Sequence, residues 1–414
     1  VSGGLIEAEA EQDRADRGTA SVRPNAASVL PAVEGVLFVS HAAEMGGAEQ
    51  GLIDLACHFG PARCEVLLLA DGGLRRMLEA RHVRVHVLPA RRSVLGVRRA
   101  GSALRALAAV PDALLLAVRV AAAAKGHRVI YANSQKAALI AMLAGVIARR
   151  PVIWHLHDIL SADHFGRLQR HAMAVLATPL TRAVIVVSAA AREAFVASGG
   201  SARRVRLIHN GIDPRPYAGL ADMSRGELRA ALGLAPGKLI GLFGRITEWK
   251  GQRVLIEALA LLPDIRALIV GSPFFGEEAE DAHLKALAER LGVSGRVAFL
   301  GHRADGPRLM RAVDLVVHCS TAPEPFGRVI VEALIAGSPV LAAEGGACRE
   351  IMGDSDWVAP PGDPRALAAA IGRILGETEA TRAKKLALLR SRMMAHFSLA
   401  QMIRRVEGVI AEVA

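Results

Sequence analysis

From residue 36 onward, short runs of β-branched and other apolar residues alternate with longer Ala/Leu-rich stretches of helical period. That alternation is the sequence form of a parallel sheet with helices on both faces. The first series of strand candidates is VLFVSHA (36–42), CEVLLLA (64–70), VRVHVLP (83–89), RVIYANS (128–134), PVIWHLHD (151–158), AVIVVSA (183–189) and RVRLIHN (204–210). Several are apolar at nearly every position, which predicts burial on both faces. Residues 214–238 interrupt the pattern with proline, glycine and charge, and a second series follows: LIGLFGR (239–245), RALIVGS (266–272), VAFLGH (297–302), LVVHCS (315–320) and PVLAA (339–343). The expected organisation is a disordered tail over 1–34, a first doubly wound α/β domain over 35–213, a linker over 214–238, a second such domain over 239–397, and a terminal helix over 398–414 with the option of packing back on the first domain.

The chain of 414 residues with 52% apolar side chains supplies material for two cores. Its net charge of +11 is localised: residues 51–150 carry 16 basic and 5 acidic side chains, whereas 251–414 carry 19 and 20. With only 4% aromatic residues to stack on bases, a nucleic-acid partner is not expected. The four cysteines form no C-x-x-C pair, and a reducing cytoplasmic setting is expected. The amino-terminal stretch has acids where a signal peptide needs bases, and the longest uncharged apolar run, 137–148, is shorter than the ~20 residues of a membrane span.

In doubly wound sheets, ligands bind beyond the carboxyl ends of the strands, so chemistry is sought there. Glu332 interrupts the apolar helical run VIVEALIA, a local inconsistency of the kind found at functional sites; an exposed helix face is the competing reading. Glu324 stands just before that helix, which starts near Phe326 and Gly327. The free amides of Gly327 and Arg328 offer a phosphate seat. In LFGRITEWKG, Arg245 ends a strand and Lys250 is expected in the first turn of the next helix, where only a nearby anion would reconcile it with the helix dipole. A planar guanidinium and a point-charge ammonium together suit a diphosphate, with a solvated loop as the alternative. In VIWHLHD, alternation puts His155 and His157 on one side of a strand, and His157 lies nearer its carboxyl end, so His155 is read as structural. Gly46 and Gly47 follow the first strand, where they permit close backbone approach, but the dinucleotide fingerprint G-x-G-x-x-G is absent. Asp354 and Asp356 are read as turn and capping residues, so no metal site is expected.

Four of these segments, GGAEQ, HLHD, FGRITEWKG and EPFGRVIVEA with its E-x7-E spacing, occur in the order found in the retaining, GT-B-fold glycosyltransferases of family four, which the chain resembles from about Val36 to Gly376. The resemblance implies two Rossmann-like domains facing across a cleft. It also implies that Arg245 and Lys250 hold the diphosphate of a UDP- or GDP-sugar and that Glu332 binds the ribose hydroxyls. In the same way it implies that Glu324 and the backbone of Phe326, Gly327 and Arg328 meet the donor sugar and phosphate, that Gly47 approaches the donor, and that His157 contacts the transferred sugar. It implies no metal and no cofactor beyond the nucleotide-sugar co-substrate.

No carboxylate nucleophile is evident on the first-domain side, so the expected mechanism is front-face displacement with retention. The arginines of residues 90–128, interleaved with leucine and valine, suggest an anionic membrane surface on the inner face of the cell membrane and a lipid-linked or polysaccharide-precursor acceptor. A soluble small-molecule acceptor is the alternative. Two rival classes remain: a sugar-nucleotide epimerase of similar fold, and a non-catalytic polyanion binder, which has no use for Glu332.

Overall fold

The computed structural model describes residues 35–95, 108–273 and 277–414. The expected tail over 1–34, and the portion of the arginine-rich stretch that holds Arg98, Arg99 and Arg105, lie outside the described residues.

Two parallel sheets form. The first contains β1 (Val36–Ser40), β2 (Cys64–Leu68), β3 (Val85–Val87), β4 (Val129–Ala132), β5 (Val152–Leu156), β6 (Ala183–Val186) and β7 (Val205–Leu207), in the order β3-β2-β1-β4-β5-β6-β7. Alternate residues of β1 serve different faces: Leu37 and Val39 join one buried cluster with helices Val110–Ala124 and Gln135–Ala148, and Val36 and Phe38 join another with helix Gly47–Phe59. Both faces are covered, and this is why the strands read as unbroken apolar runs. Helix Leu399–Val413 belongs to the second of these clusters through Met402, Ile403, Val406, Val409 and Ile410.

The second sheet contains β8 (Lys238–Phe243), β9 (Ile265–Val270), β10 (Val297–Gly301), β11 (Leu315–His318), β12 (Val340–Ala343) and the two-residue β13 (Val358–Ala359), in the order β10-β9-β8-β11-β12-β13. Strand β13 is too short to register as a hydrophobic run and has no counterpart in the expected series. Residues 214–238 are not an open tether. They form two short turns and helix Arg225–Ala231, whose Leu228 is buried, and Arg311 of the second domain donates to the carbonyls of Leu220, Ala221 and Met223.

The chain passes between the domains twice, and the two passages are bonded together. The Ile212 amide donates to the Phe397 carbonyl at 3.0 Å, and the Leu399 amide to the Ile212 carbonyl at 3.3 Å. Gly211 is required at this crossing, because a Cβ there would lie 2.5 Å from Leu399 Cα. In each sheet the strand order reverses between two central strands, β1 and β4 in the first and β8 and β11 in the second. Each such switch point opens a crevice at the carboxyl ends.

Candidate active site

At the second sheet's switch point, β8 delivers Arg245 and β11 delivers His318, followed by the loop to Glu324. Lys250 is not in a helix's first turn as its sequence suggests. It ends the short turn Glu248–Lys250, and the helix begins at Gln252 after Gly251. Gly251 has φ +76°, and a Cβ there would fall 1.9 Å from the Cys319 carbonyl oxygen. The backbone of the β11 loop therefore packs into the place of that missing side chain, which brings Lys250 beside Glu324.

Lys250 Nζ donates to Glu324 Oε2 at 2.6 Å, and the same oxygen accepts from Ser320 Oγ at 3.0 Å and from His318 Nε2 at 3.1 Å. Burial works to raise the Glu324 pKa, but the Lys250 charge and the His318 hydrogen bond outweigh it and hold the carboxyl well below the usual carboxylate range. Glu324 is thus a permanently ionised acceptor, and Lys250 is further held over the Trp249 ring at 4.2 Å. His318 and Ser320 did not stand out as site residues in the sequence; their position at a strand's carboxyl end beside the switch point is the signal that finds them.

Helix Arg328–Ile335 starts after Gly327, with its N-terminus at the cleft. Glu332 is partly buried and lies 3.4 Å from Arg328 Nε one turn earlier. Arg328 extends toward the first domain, where Nη1 reaches the Gly211 carbonyl at 3.5 Å. A Cβ at Gly47 would sit 3.1 Å from Arg328 Cδ, so the absent side chain of Gly47 makes room for this arginine. The Phe326 ring is buried and packs edge-on against Phe397 at 5.6 Å.

On the first-domain side, His157 follows β5, and its ring lies 3.9 Å from that of His155, as expected for side chains on one face. His157 Nε2 donates to Asn133 Oδ1 at 3.1 Å, which fixes the tautomer and leaves Nδ1 with a bare lone pair; Nδ1 is buried and has no hydrogen-bond partner. Burial and the Arg328 charge push the His157 pKa down to about 3, so the ring is neutral at physiological pH. His155 is buried against the Tyr131 hydroxyl at 2.7 Å.

The first domain also brings a buried carboxyl to this region. Glu49 is buried in the first turn of helix Gly47–Phe59, within electrostatic reach of Asp158 and Arg245. Burial raises its pKa to about 7, although the carboxylate accepts from the backbone N–H groups of Glu49 and Gly46. This carboxyl is folded onto its own helix start. Arg245 Nε lies 3.7 Å from Glu277 Oε2. Among the described residues, no group of three or more His, Cys, Asp or Glu side chains is arranged to hold a metal ion.

The domains also touch beside the cleft. His164 Nε2 donates to the Pro323 carbonyl at 3.1 Å. Glu350 accepts from the amides of Ala189 and Ala190 and from His209 Nε2, at 2.9 Å, 3.3 Å and 2.9 Å.

Comparison with known proteins places this geometry in context. A family profile described as Glycosyl transferases group 1 matches residues 224–387, and one described as Glycosyltransferase Family 4 matches residues 45–215. The D-inositol 3-phosphate glycosyltransferase of Mycobacterium sp. (strain KMS) is 42% identical over 143 residues, which are 34% of this chain and 32% of that protein. Its counterpart in Mycolicibacterium gilvum (strain PYR-GCK) is 34% identical over 183 residues, 43% of this chain and 40% of that one. These matches thus span 32% and 40% of the curated relatives' length. The structure of Anabaena HepE in complex with UDP-glucose superposes with a TM-score of 0.80 at 36% identity, covering 91% of this chain and 99% of that one.

Proposed function

The chain belongs to the GT-B-fold glycosyltransferases of family four, and from that membership we propose that it moves a hexosyl group from a nucleoside diphosphate sugar to a hydroxyl of a small polar acceptor, with retention at the anomeric carbon. The observation that carries the reading is the Lys250–Glu324 pair beside Arg245 at the switch point of the second sheet. Lys250 and Arg245 neutralise the donor diphosphate and the charge that grows on it as the glycosidic bond breaks. The amides at the start of helix Arg328–Ile335 add a fixed positive dipole. Glu324, unable to take up a proton near neutrality, accepts from hydroxyls of the sugar. Glu332 accepts from the ribose hydroxyls. Neutral His157 offers the Nδ1 lone pair to a further sugar hydroxyl.

With Glu49 spent on its helix start, displacement on the face of the leaving diphosphate is the favoured route, and the diphosphate oxygen takes the proton of the acceptor hydroxyl. The charge work is assigned to protein cations, so transfer is expected to persist in EDTA; its abolition would overturn that assignment. The UDP-glucose complex of Anabaena HepE supports a UDP-sugar as the first donor to try. The mycobacterial relatives support a phosphorylated polyol as acceptor.

A screen of UDP-, GDP- and ADP-sugars, with and without inositol 3-phosphate, tests the reading. Transfer that depends on the acceptor is expected. Sugar interconversion in its absence would mark an epimerase.

One observation favours a second reading of the acceptor. Helix Val110–Ala124 leaves Val110, Leu114, Leu115 and Val118 exposed, and the adjoining helix Gln135–Ala148 leaves Val146 and Ile147 exposed, a surface suited to a lipid interface. None of the described helices is long and apolar enough to cross a membrane. Co-sedimentation with vesicles containing phosphatidylglycerol but not with neutral ones would favour a lipid-linked acceptor; indifference to lipid charge leaves the soluble one.

A further inference from the structure

A second concentration of positive charge lies away from the cleft. Arg225, Arg229, Lys238 and Arg382, with Asp314, Gly237 and Leu375, line a cavity of about 320 Å³ in the second domain. Strand polarity fixes its place. Lys238 begins β8 and Asp314 immediately precedes β11, so the cavity opens at the amino ends of the two strands whose carboxyl ends carry Arg245 and the Glu324 loop. A strand of this length spans about 20 Å, so one ligand does not reach both places.

The charges in this cavity do not balance. Asp314 is already engaged, pairing with Arg229 Nη2 at 2.9 Å and accepting from the Leu239 amide at 2.9 Å. Arg229 is anchored further by the Ala312 and Gly237 carbonyls, and Arg382 by the Leu375 carbonyl. Arg311, held by backbone carbonyls, adds its charge from the helix beside them. Arg225 Nε is buried without a hydrogen-bond partner. It faces Arg229, Arg311 and Arg382, with Asp314 the one carboxylate among the groups acting on it, and burial together with Arg311 lowers its pKa. Asp314 pairs with Arg229 and Asp222 acts on Arg311, which still leaves positive charge in excess; guanidinium groups preset in this way by backbone carbonyls form an anion cradle, and their planar forks match phosphate oxygens. The volume sits at the small end of the range for ligand pockets, larger than one inorganic ion requires.

We propose that this cavity is a second anion site, which binds the phosphate monoester or diphosphate group of a small molecule or lipid headgroup and is distinct from the donor site. Its occupant would tie helix Arg225–Ala231, which follows the first passage between domains, to helix Glu379–His396, which leads into the second. Binding there would therefore bridge the segments that flank the two passages between the domains.

The test is calorimetric titration of the full chain, first saturated with UDP to occupy the cleft, with inorganic pyrophosphate at constant ionic strength. One saturable event is expected, weakened at least tenfold in Arg225→Gln/Lys238→Gln, while UDP affinity in that variant stays at the wild-type value and reports an intact fold. An undiminished event in the variant, or the absence in the wild type of both a saturable pyrophosphate event and vesicle binding that the variant loses, would overturn the proposal. Vesicles containing phosphatidic acid, whose headgroup is a phosphate monoester, form the second arm. Vesicle binding that is lost in the variant, without pyrophosphate binding, assigns the site to a headgroup, and the converse assigns it to a soluble phosphate.

Discussion

Lys250 and Glu324, 74 residues apart in sequence, share a 2.6 Å ion pair at the carboxyl edge of the second sheet, and each fixes the state of the other. The lysine holds the carboxylate ionised, and the carboxylate holds the ammonium at the cleft. Lys250→Ala and Glu324→Ala are each expected to lower kcat by about 10²- to 10³-fold, the scale of losing a preorganised charge at a developing anion. Each should also cost roughly 3 kcal/mol of stability, the low end for a broken buried pair, because His318 and Ser320 still serve the carboxylate in the lysine variant. The double variant should be little less stable than either single one. Steady-state kinetics and urea unfolding check both; wild-type turnover in either single variant would remove the site assignment.

Glu49 gives the fold a pH dependence of definite sign. Its pKa is raised from 4.5 to about 7, so between those values the folded chain keeps a proton that the unfolded chain has released. Stability therefore falls as pH rises across that window. Glu49→Gln keeps an acceptor for the Gly46 amide without the buried charge. It should flatten the profile and be more stable than wild type at pH 8 by roughly 3 kcal/mol. Parallel unfolding curves at pH 5 and 8 for the two proteins would contradict this.

Gly47→Ala separates binding from folding. The new methyl would press on Arg328 Cδ from 3.1 Å, while alanine in a helix's first turn is tolerated or favoured over glycine. The donor KM should rise several-fold with stability within about 1 kcal/mol of wild type. Unchanged KM would mean that Arg328 is free to yield.

Glu350 caps a helix of the opposite domain. Ser188 already accepts from the Ala191 amide, and Glu350 supplies the acceptor for Ala189 and Ala190. Burial raises its pKa, but the His209 hydrogen bond and the two amides outweigh this and the net shift is downward. Its contribution is therefore full above the ordinary carboxylate range and lost on acidification. Glu350→Ala should cost about 1–2 kcal/mol and enlarge the radius of gyration seen by solution scattering. An unchanged radius would show that the other contacts between domains suffice to hold them.

The two-sheet architecture was legible because strands buried on both faces leave continuous apolar runs, and because the series restarts after residue 238. The strand-end rule likewise pointed to Arg245 and His157 without any knowledge of their partners. What periodicity could not carry was contact across long separations. Lys250 reads as helical because nothing local shows that the Cys319 carbonyl will approach Gly251 and end the turn there. Glu49 was not singled out in the sequence, since its burial depends on side chains from elsewhere. Residues 214–238 have the composition of a linker, yet Arg311, far along the chain, folds them onto the second domain.

The second passage between the domains has a consequence for biosynthesis. Every strand of the first sheet has been made by Leu207, but helix Leu399–Val413, which completes the cluster containing Val36 and Phe38, is translated roughly 190 residues later. At ~5–20 residues per second, that face waits about 10–40 s for its cover. During that interval the nascent first domain presents an apolar strip to chaperones and to other nascent chains, and its maturation is timed by the completion of the second.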